Sequence, residues 1–288
     1  MDSIIVIVPI YKSTLDTSEI ISFNQCIKVL CNYTISIVTF KELDIKYYKY
    51  ELEKAKITYI VSFFASEYFF GTEGYNRLML SLDFYKKFEK YKYMLIYQLD
   101  AYIFIDELKE WCAKGYDIIG APLIEDKYAE EKKYFLNHYN GGFSLRNITY
   151  CMQLLSYKGP LLKPNIIYRI VKKEFKGKPL MGFIYFVLRS LGRQNNVAFL
   201  KRKTPINEDL LLTLGLFVSW IDSDVTRKEA WIYPKLPSNE EAIKFAFERY
   251  PSYLFELNSN KLPMGCHAWE KFEYDTFWGK YINVKGIL

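Results

Sequence analysis

Tyr93-Met94-Leu95-Ile96-Tyr97-Gln98-Leu99-Asp100-Ala101-Tyr102 is a short, apolar, aromatic-rich run with a single acid near its end. Such a run reads as a buried β-strand. Burying a lone carboxylate costs several kcal/mol unless a partner offsets it. In an α/β chain, an acid delivered to the C-terminal end of a strand faces the crevice where ligands bind. Asp100 is therefore the first candidate functional residue, and the chain reads as an enzyme.

The flanking sequence repeats the strand pattern with helices between. Residues 4–10, 35–40, 57–64 and 116–121 read as strands. Residues 18–32 have helical spacing through Ile20, Ile21, Cys26, Ile27 and Leu30, with Ser18 as the expected N-cap. Residues 46–56 and 76–88 read as further helices, the second with Leu78, Leu82 and Tyr85 inward. This alternation predicts an α/β fold, a mostly parallel, Rossmann-like sheet with helices on both faces. It places residues 9–12, 39–44 and 100–102 on one crevice. From Asn140 the pattern loosens: Gly141-Gly142 reads as a tight loop, and residues 207–217 as a helix capped by Asn207.

The chain has 288 residues, 50% hydrophobic and 25% charged, which suits one large α/β domain spanning residues 1–288. The 18% aromatic share fits either a compositional bias or contacts with sugars and lipid interfaces. Five scattered cysteines without a C-x-x-C pair fit neither a disulfide framework nor a zinc site, so a reduced, cytoplasmic protein is expected. The N-terminus lacks the basic start of a signal peptide. No apolar stretch reaches the ~20 residues that span a bilayer.

Charge is unevenly placed. Residues 158–203 hold twelve Lys or Arg against one acid, Glu174, a local net charge of +11 in a chain whose total is +6. Apolar and aromatic residues interleave with these charges. The segment reads as a basic amphipathic insertion, either a membrane-surface or acceptor-side region or a solvated face packed on the core by its apolar side. Nothing in it matches a nucleic-acid-binding motif, and no nucleic acid partner is expected.

Four short sites carry candidate chemistry: Gln98-Leu99-Asp100; Asn140-Gly141-Gly142-Phe143-Ser144-Leu145-Arg146; Asn207-Glu208-Asp209 at a helix start; and Cys266-His267-Ala268-Trp269. Taken singly, each has an ordinary structural explanation. Their order resembles that of glycosyltransferases with the GT-A fold, which carry Asp-x-Asp at a strand end, a glycine-rich loop, an x-Glu-Asp helix start and a late histidine. The phrases around Asp100, Gly120 and Gly142 look like an uncharacterised bacterial branch of that superfamily, with Gln-x-Asp in place of Asp-x-Asp.

The resemblance implies transfer of a sugar from a nucleotide-sugar, UDP-sugars favoured, to a glycan or lipid-linked acceptor. The setting would be surface polysaccharide or glycoconjugate assembly, on the cytoplasmic membrane face. It implies a Mn²⁺ or Mg²⁺ ion on Asp100 and His267. Asp209 would be the catalytic base of an inverting hexosyl transfer, with Glu208 near the acceptor. Pro9, Tyr11, Thr39, Arg77, Gln98 and Asp100 would hold the donor. Asn140, Gly141, Gly142, Phe143 and Trp269 would line the sugar and acceptor side. Gln98, which brings no charge, also fits a catalytically inactive sugar- or nucleotide-binding relative. The basic segment fits a membrane-peripheral scaffold protein.

Overall fold

The structure is a computed structural model, and it describes residues 3–127, 132–202, 207–214 and 230–282. The predicted strand–helix alternation is present. In chain order come β1 (Ile4–Pro9), α1 (Thr17–Val29), β2 (Thr34–Thr39), α2 (Lys46–Lys54), β3 (Tyr59–Phe63), α3 (Gly71–Met79), α4 (Leu82–Lys86), β4 (Tyr93–Tyr97), β5 (Ala101–Ile103) and α5 (Leu108–Ala113). Then follow β6 (Ile118–Lys127), β7 (Lys132–Asn147), α6 (Ile148–Ser156), α7 (Pro164–Glu174), α8 (Pro179–Ser190), α9 (Val197–Arg202), α10 (Glu208–Leu212), α11 (Asn239–Phe245), β8 (Ala246–Phe247), α12 (Pro251–Leu257) and β9 (Gly265–His267).

The main sheet has the order β3-β2-β1-β4-β7-β6. β1, β2, β3 and β4 are parallel, and β7 runs antiparallel to both β4 and β6. The sheet is thus mixed, with β7 alone reversed. β1 is buried along its whole length, as a parallel strand covered on both faces must be. Its alternate residues feed two cores. Val6 and Val8 pack with Phe23, Tyr48, Leu95 and Tyr97, while Ile5 and Ile7 pack with Leu78, Phe84, Met94 and Ile96 on the other face. Strand order reverses at β1, because β2 and β3 lie to one side and β4 to the other. That switch point puts the ends of β1 and β4 at one crevice.

Several local expectations are corrected. α1 is capped by Asp16 rather than Ser18. Asp16 accepts from the Glu19 N–H at 3.0 Å while the Glu19 carboxylate accepts from the Asp16 N–H at 3.0 Å, a reciprocal capping box. The single helix expected over 76–88 is two, α3 and α4, broken at Leu80-Ser81. The Asp100 strand also breaks: β4 ends at Tyr97, and β5 pairs instead with β9 in a second sheet of order β5-β9-β8. Gly141-Gly142 is not a loop but lies inside β7, where the register against β6 shifts between Gly120 and Pro122. Asn207 holds the N-cap position of α10 without a side-chain capping bond, and residues 215–217 of the expected helix lie outside the described residues.

Candidate active site

The break after β4 builds the site. The Gln98 N–H donates to Gly142 O at 2.9 Å, so the chain stays on β7 for one more residue before turning. The next strand then pairs Ala101 with His267 across the second sheet. Asp100 is held between the two sheets, with His267 facing it.

His267 is buried and contacted on both ring nitrogens. Its Nε2 lies 3.1 Å from Asp100 Oδ1 and 3.1 Å from Gln98 Oε1. Its Nδ1 lies 3.1 Å from Glu248 Oε1, which also accepts from Asn140 Nδ2 at 3.0 Å. Burial works against a charged imidazole. The carboxylates of Asp100 and Glu248 outweigh it and raise the histidine to about 10. Asp100 is pulled the other way. Burial favours its neutral form, but His267 and the Lys271 ammonium, 3.1 Å from Oδ2, hold it well below the usual carboxylate range.

A second group stands on the other side of the glycine pair. Arg146 is fully buried in β7. Its Nη2 donates to Glu208 Oε1 at 2.8 Å and to Gly141 O at 3.0 Å, its Nε to Ser144 Oγ at 3.0 Å and its Nη1 to the Tyr85 hydroxyl at 3.1 Å. Glu208 is buried too, so this is a desolvated ion pair. Asn76 of α3 accepts from the Glu208 N–H at 3.3 Å and so anchors the start of α10. Beside the pair, Asp209 is raised to about 8, first by burial and then by the neighbouring Glu208 charge, with Glu248 adding to it. Tyr75 lies within electrostatic reach of both groups: burial first raises its phenol, Glu208 and Asp209 add to this, and Arg146 and Gln98 act against it. Glu208 Oε2 and Glu248 Oε2 are buried with no hydrogen-bond donor among the described residues.

The glycines are explained by close approach. A Cβ on Gly142 would overlap His267 Nε2 and crowd Gln98 Oε1; one on Gly141 would overlap Glu208 Oε1 and crowd Arg146 Nη2. Two adjacent residues thus give passage to two groups of charged side chains, at a strand irregularity of the kind that re-aims side chains beside active sites.

The other expected residues are distributed unevenly. Pro9 and Thr39 end β1 and β2 at the crevice edge, with Thr39 buried and its hydroxyl unpartnered among the described residues. Tyr11 is exposed and lies within electrostatic reach of Lys271, whose ammonium is held charged against burial chiefly by Asp100. Asn140 joins the His267 group through Glu248. Arg77 points outward, paired with Glu73 at 3.4 Å and bonded to Glu67 O at 3.3 Å. The rings of Phe143 and Trp269 are core, not crevice wall. Phe143 packs on Tyr97 and Phe245, and Trp269 on Tyr102 and Tyr274, each at 0% exposure. Sequence reasoning missed Glu248, Lys271, Tyr75 and Asn76. Tyr75 and Asn76 directly precede the expected Arg77 in α3, and their position on the inner side of that helix is the one local signal they carry.

For a divalent ion, the donors that face one another are one carboxylate (Asp100), one imidazole (His267) and one amide oxygen (Gln98). Among the described residues no group of three or more His, Cys, Asp or Glu is placed to hold a metal. This set does not fit an all-protein cage. It fits an ion that takes its remaining ligands from a bound diphosphate and water, as Mg²⁺-type sites do, with Glu248 orienting the histidine from behind.

Solved structures with a similar chain path include core-mannan synthase A from Aspergillus fumigatus in its Mn/GDP form (10% identity, 75% of this chain and 70% of that chain, TM-score 0.40). Others are A197 from STIV (13%, 57% and 72%, TM-score 0.29) and the PaToxG glycosyltransferase (13%, 79% and 82%, TM-score 0.29). A search of curated proteins finds no match. A family model does match, over residues 58–267, which takes in the Asp100, Gly141-Gly142, Glu208 and His267 sites, and the chain therefore belongs to the family described as "Protein of unknown function (DUF5672)".

Proposed function

We propose that this protein is a glycosyltransferase that takes a sugar from a nucleoside diphosphate sugar, UDP-sugars foremost, and passes it to a hydroxyl of a glycan or lipid-linked acceptor. One observation carries the reading. An Asp100–His267–Gln98 group suited to a cation shared with a diphosphate stands beside a carboxyl, Asp209, that burial and Glu208 have moved to about 8. The pairing supplies the two things sugar transfer needs, neutralisation of the departing diphosphate and a base for the incoming hydroxyl.

Asp100 Oδ1, His267 Nε2 and Gln98 Oε1 would hold Mn²⁺ or Mg²⁺ once the ion displaces the Nε2 proton of His267, and the ion would offset the negative charge that grows on the leaving diphosphate. Glu248 fixes the His267 ring. Arg146 neutralises Glu208, leaving Asp209 as the carboxyl that exchanges a proton near neutral pH. In the inverting course Asp209 accepts the acceptor's hydroxyl proton. That oxygen bonds to the anomeric carbon, and the carbon–oxygen bond to the diphosphate breaks.

Hydrolysis of a panel of nucleotide-sugars with Mn²⁺ tests the proposal. The expected outcome is donor-selective hydrolysis that Asp100→Ala lowers by 10²-fold or more (on the order of an electrostatic contact at the leaving group). No hydrolysis with any donor, together with no thermal shift with UDP or GDP, would overturn it. A second reading, a nucleotide-sugar-binding protein without turnover, is favoured by Gln98 and by the Lys271 ammonium on Asp100. It predicts a thermal shift without hydrolysis.

A further inference from the structure

The α7–α8 hairpin leaves unburied a helix that is apolar almost all round. In α8 (Pro179–Ser190) Gly182 is the buried residue. A Cβ there would stand 2.8 Å from Val171 Cγ1 and 3.2 Å from Phe175 Cβ, so α8 lies on α7 at this glycine, and Tyr185 and Phe186 pack on the α7 side while the Leu180–Phe183–Ile184 side faces outward. Leu180 is 72% exposed, Phe183 65%, Ile184 48% and Leu191 78%, and their spacing of three, four and seven residues makes one stripe. Met181 beside it and Tyr168 on α7 are exposed as well.

Charge rims this stripe. Lys172, Lys173, Lys176 and Lys178 cluster where α7 turns into α8, and Arg189 and Arg193 stand at the far end. Glu174 is the only acid between Glu131 and Glu208. The hairpin stands on a fixed base. Asn195, fully buried, receives the Leu162 N–H on its Oδ1 at 2.9 Å and donates to Leu162 O at 3.2 Å, while the Leu161 N–H donates to Asn195 O at 2.8 Å.

We infer that the α7–α8 hairpin is a membrane-surface anchor whose α8 stripe lies in the headgroup region of an anionic leaflet. Exposed apolar residues rimmed by Lys and Arg are the composition of interfacial helices. The charge selects this occupant over a second copy of the chain, since two copies meeting through α8 would bring two cationic rims together. A neutral surface would leave those rims unmatched. No helix of the described residues is long and apolar enough to cross a membrane, so the attachment is in the plane of the interface. The anchor stands whether or not the transferase reading does.

Flotation of the full chain with phosphatidylcholine vesicles, with and without phosphatidylglycerol, tests the anchor. The protein is expected to float with the anionic vesicles at low salt and to be released at high salt, a test that needs no substitution. Lys172→Gln, Lys176→Gln and Lys178→Gln together should lower the vesicle partition on the order of 100-fold, from about fivefold per lost cation. Leu180→Ser with Phe183→Ser should abolish it, with a thermal melt confirming that each variant is folded. Absence of flotation at low salt, or equal binding to neutral vesicles, would overturn the inference. So would a concentration-dependent dimer that Phe183→Ser dissolves, which would make a second copy the occupant.

Discussion

Gly141 and Gly142 have no side chain, and the site depends on that. Their missing Cβ atoms are where Glu208 and Arg146, and His267 and Gln98, come through. Next to them Asp209 is the group whose ionisation responds to ordinary pH. Its carboxyl keeps a proton in the folded protein where the unfolded chain, with the ordinary value of 3.8, has already released it. The stability this contributes is full below about 3.8 and is lost as pH rises through about 8. Denaturant unfolding should therefore show a fall in stability between pH 5 and pH 8 whose slope Asp209→Asn lowers, while the fall above about 6.5 that the raised His267 contributes stays. As a base Asp209 acts only when ionised, so kcat/KM should climb with pH toward about 8, and Asp209→Asn should cost about 10²–10⁴-fold in rate.

Arg146 is the other residue with a steep expectation. It is the counter-charge of a buried carboxylate, and Arg146→Met would leave Glu208 desolvated and unpaired. Breaking such a pair costs about 3–5 kcal/mol. A thermal melt should show a fall of roughly 2–4 °C per kcal/mol for a chain of this size. The double variant Arg146→Met/Glu208→Gln should recover most of it, because the amide no longer needs a cation.

Among the elements, the decisive event is the end of β4. Its apolar run continues through Leu99 and Ala101, yet the main sheet keeps only Tyr93–Tyr97, and β5 joins β9. The sequence shows the strand and the acid but not the change of sheet, because β9 lies more than 160 residues further on. The same holds for α3 and α4. Their apolar spacing is helical throughout, but the chain turns at Leu80-Ser81 and packs Leu80 and Phe84 in one core. At the hairpin the working element is its base. Asn195→Ala removes the two bonds its side chain makes with Leu162 and the one with Arg189 O. Hydrogen exchange should then speed up over residues 161–195 while the β1 and β4 amides stay protected.

Across the molecule, two sheets meet at one ion-paired residue. The switch point between β1 and β4 opens the crevice, the short second sheet brings His267 and Glu248 to it, and α10 brings Glu208 and Asp209 from the far side of β7. A ligand bridging these parts would stabilise the assembly as a whole. UDP or GDP with Mn²⁺ at 100 times Kd should raise stability by about 2.7 kcal/mol, read as an upward shift in melting temperature. Asp100→Ala should remove the Mn²⁺-dependent part of that shift and leave the metal-free part.

The α/β class, the apolar run that becomes β4, the acids opening α10 and the basic apolar segment are local patterns, and local patterns survive in the sequence. Period-two and period-3.6 apolar spacing record burial directly. What only the tertiary structure decided is which residues meet. Glu248 has no motif around it, Lys271 is one lysine among many, and Trp269 beside His267 has the composition of a sugar-binding wall while its ring is core. Pairings across 60 to 170 residues, such as Arg146 with Glu208 and Asp100 with His267, follow from sheet order and from the space left by two glycines. No local rule encodes them, because a buried charge is tolerated only opposite a partner, and which partner it meets is decided only when the chain has closed.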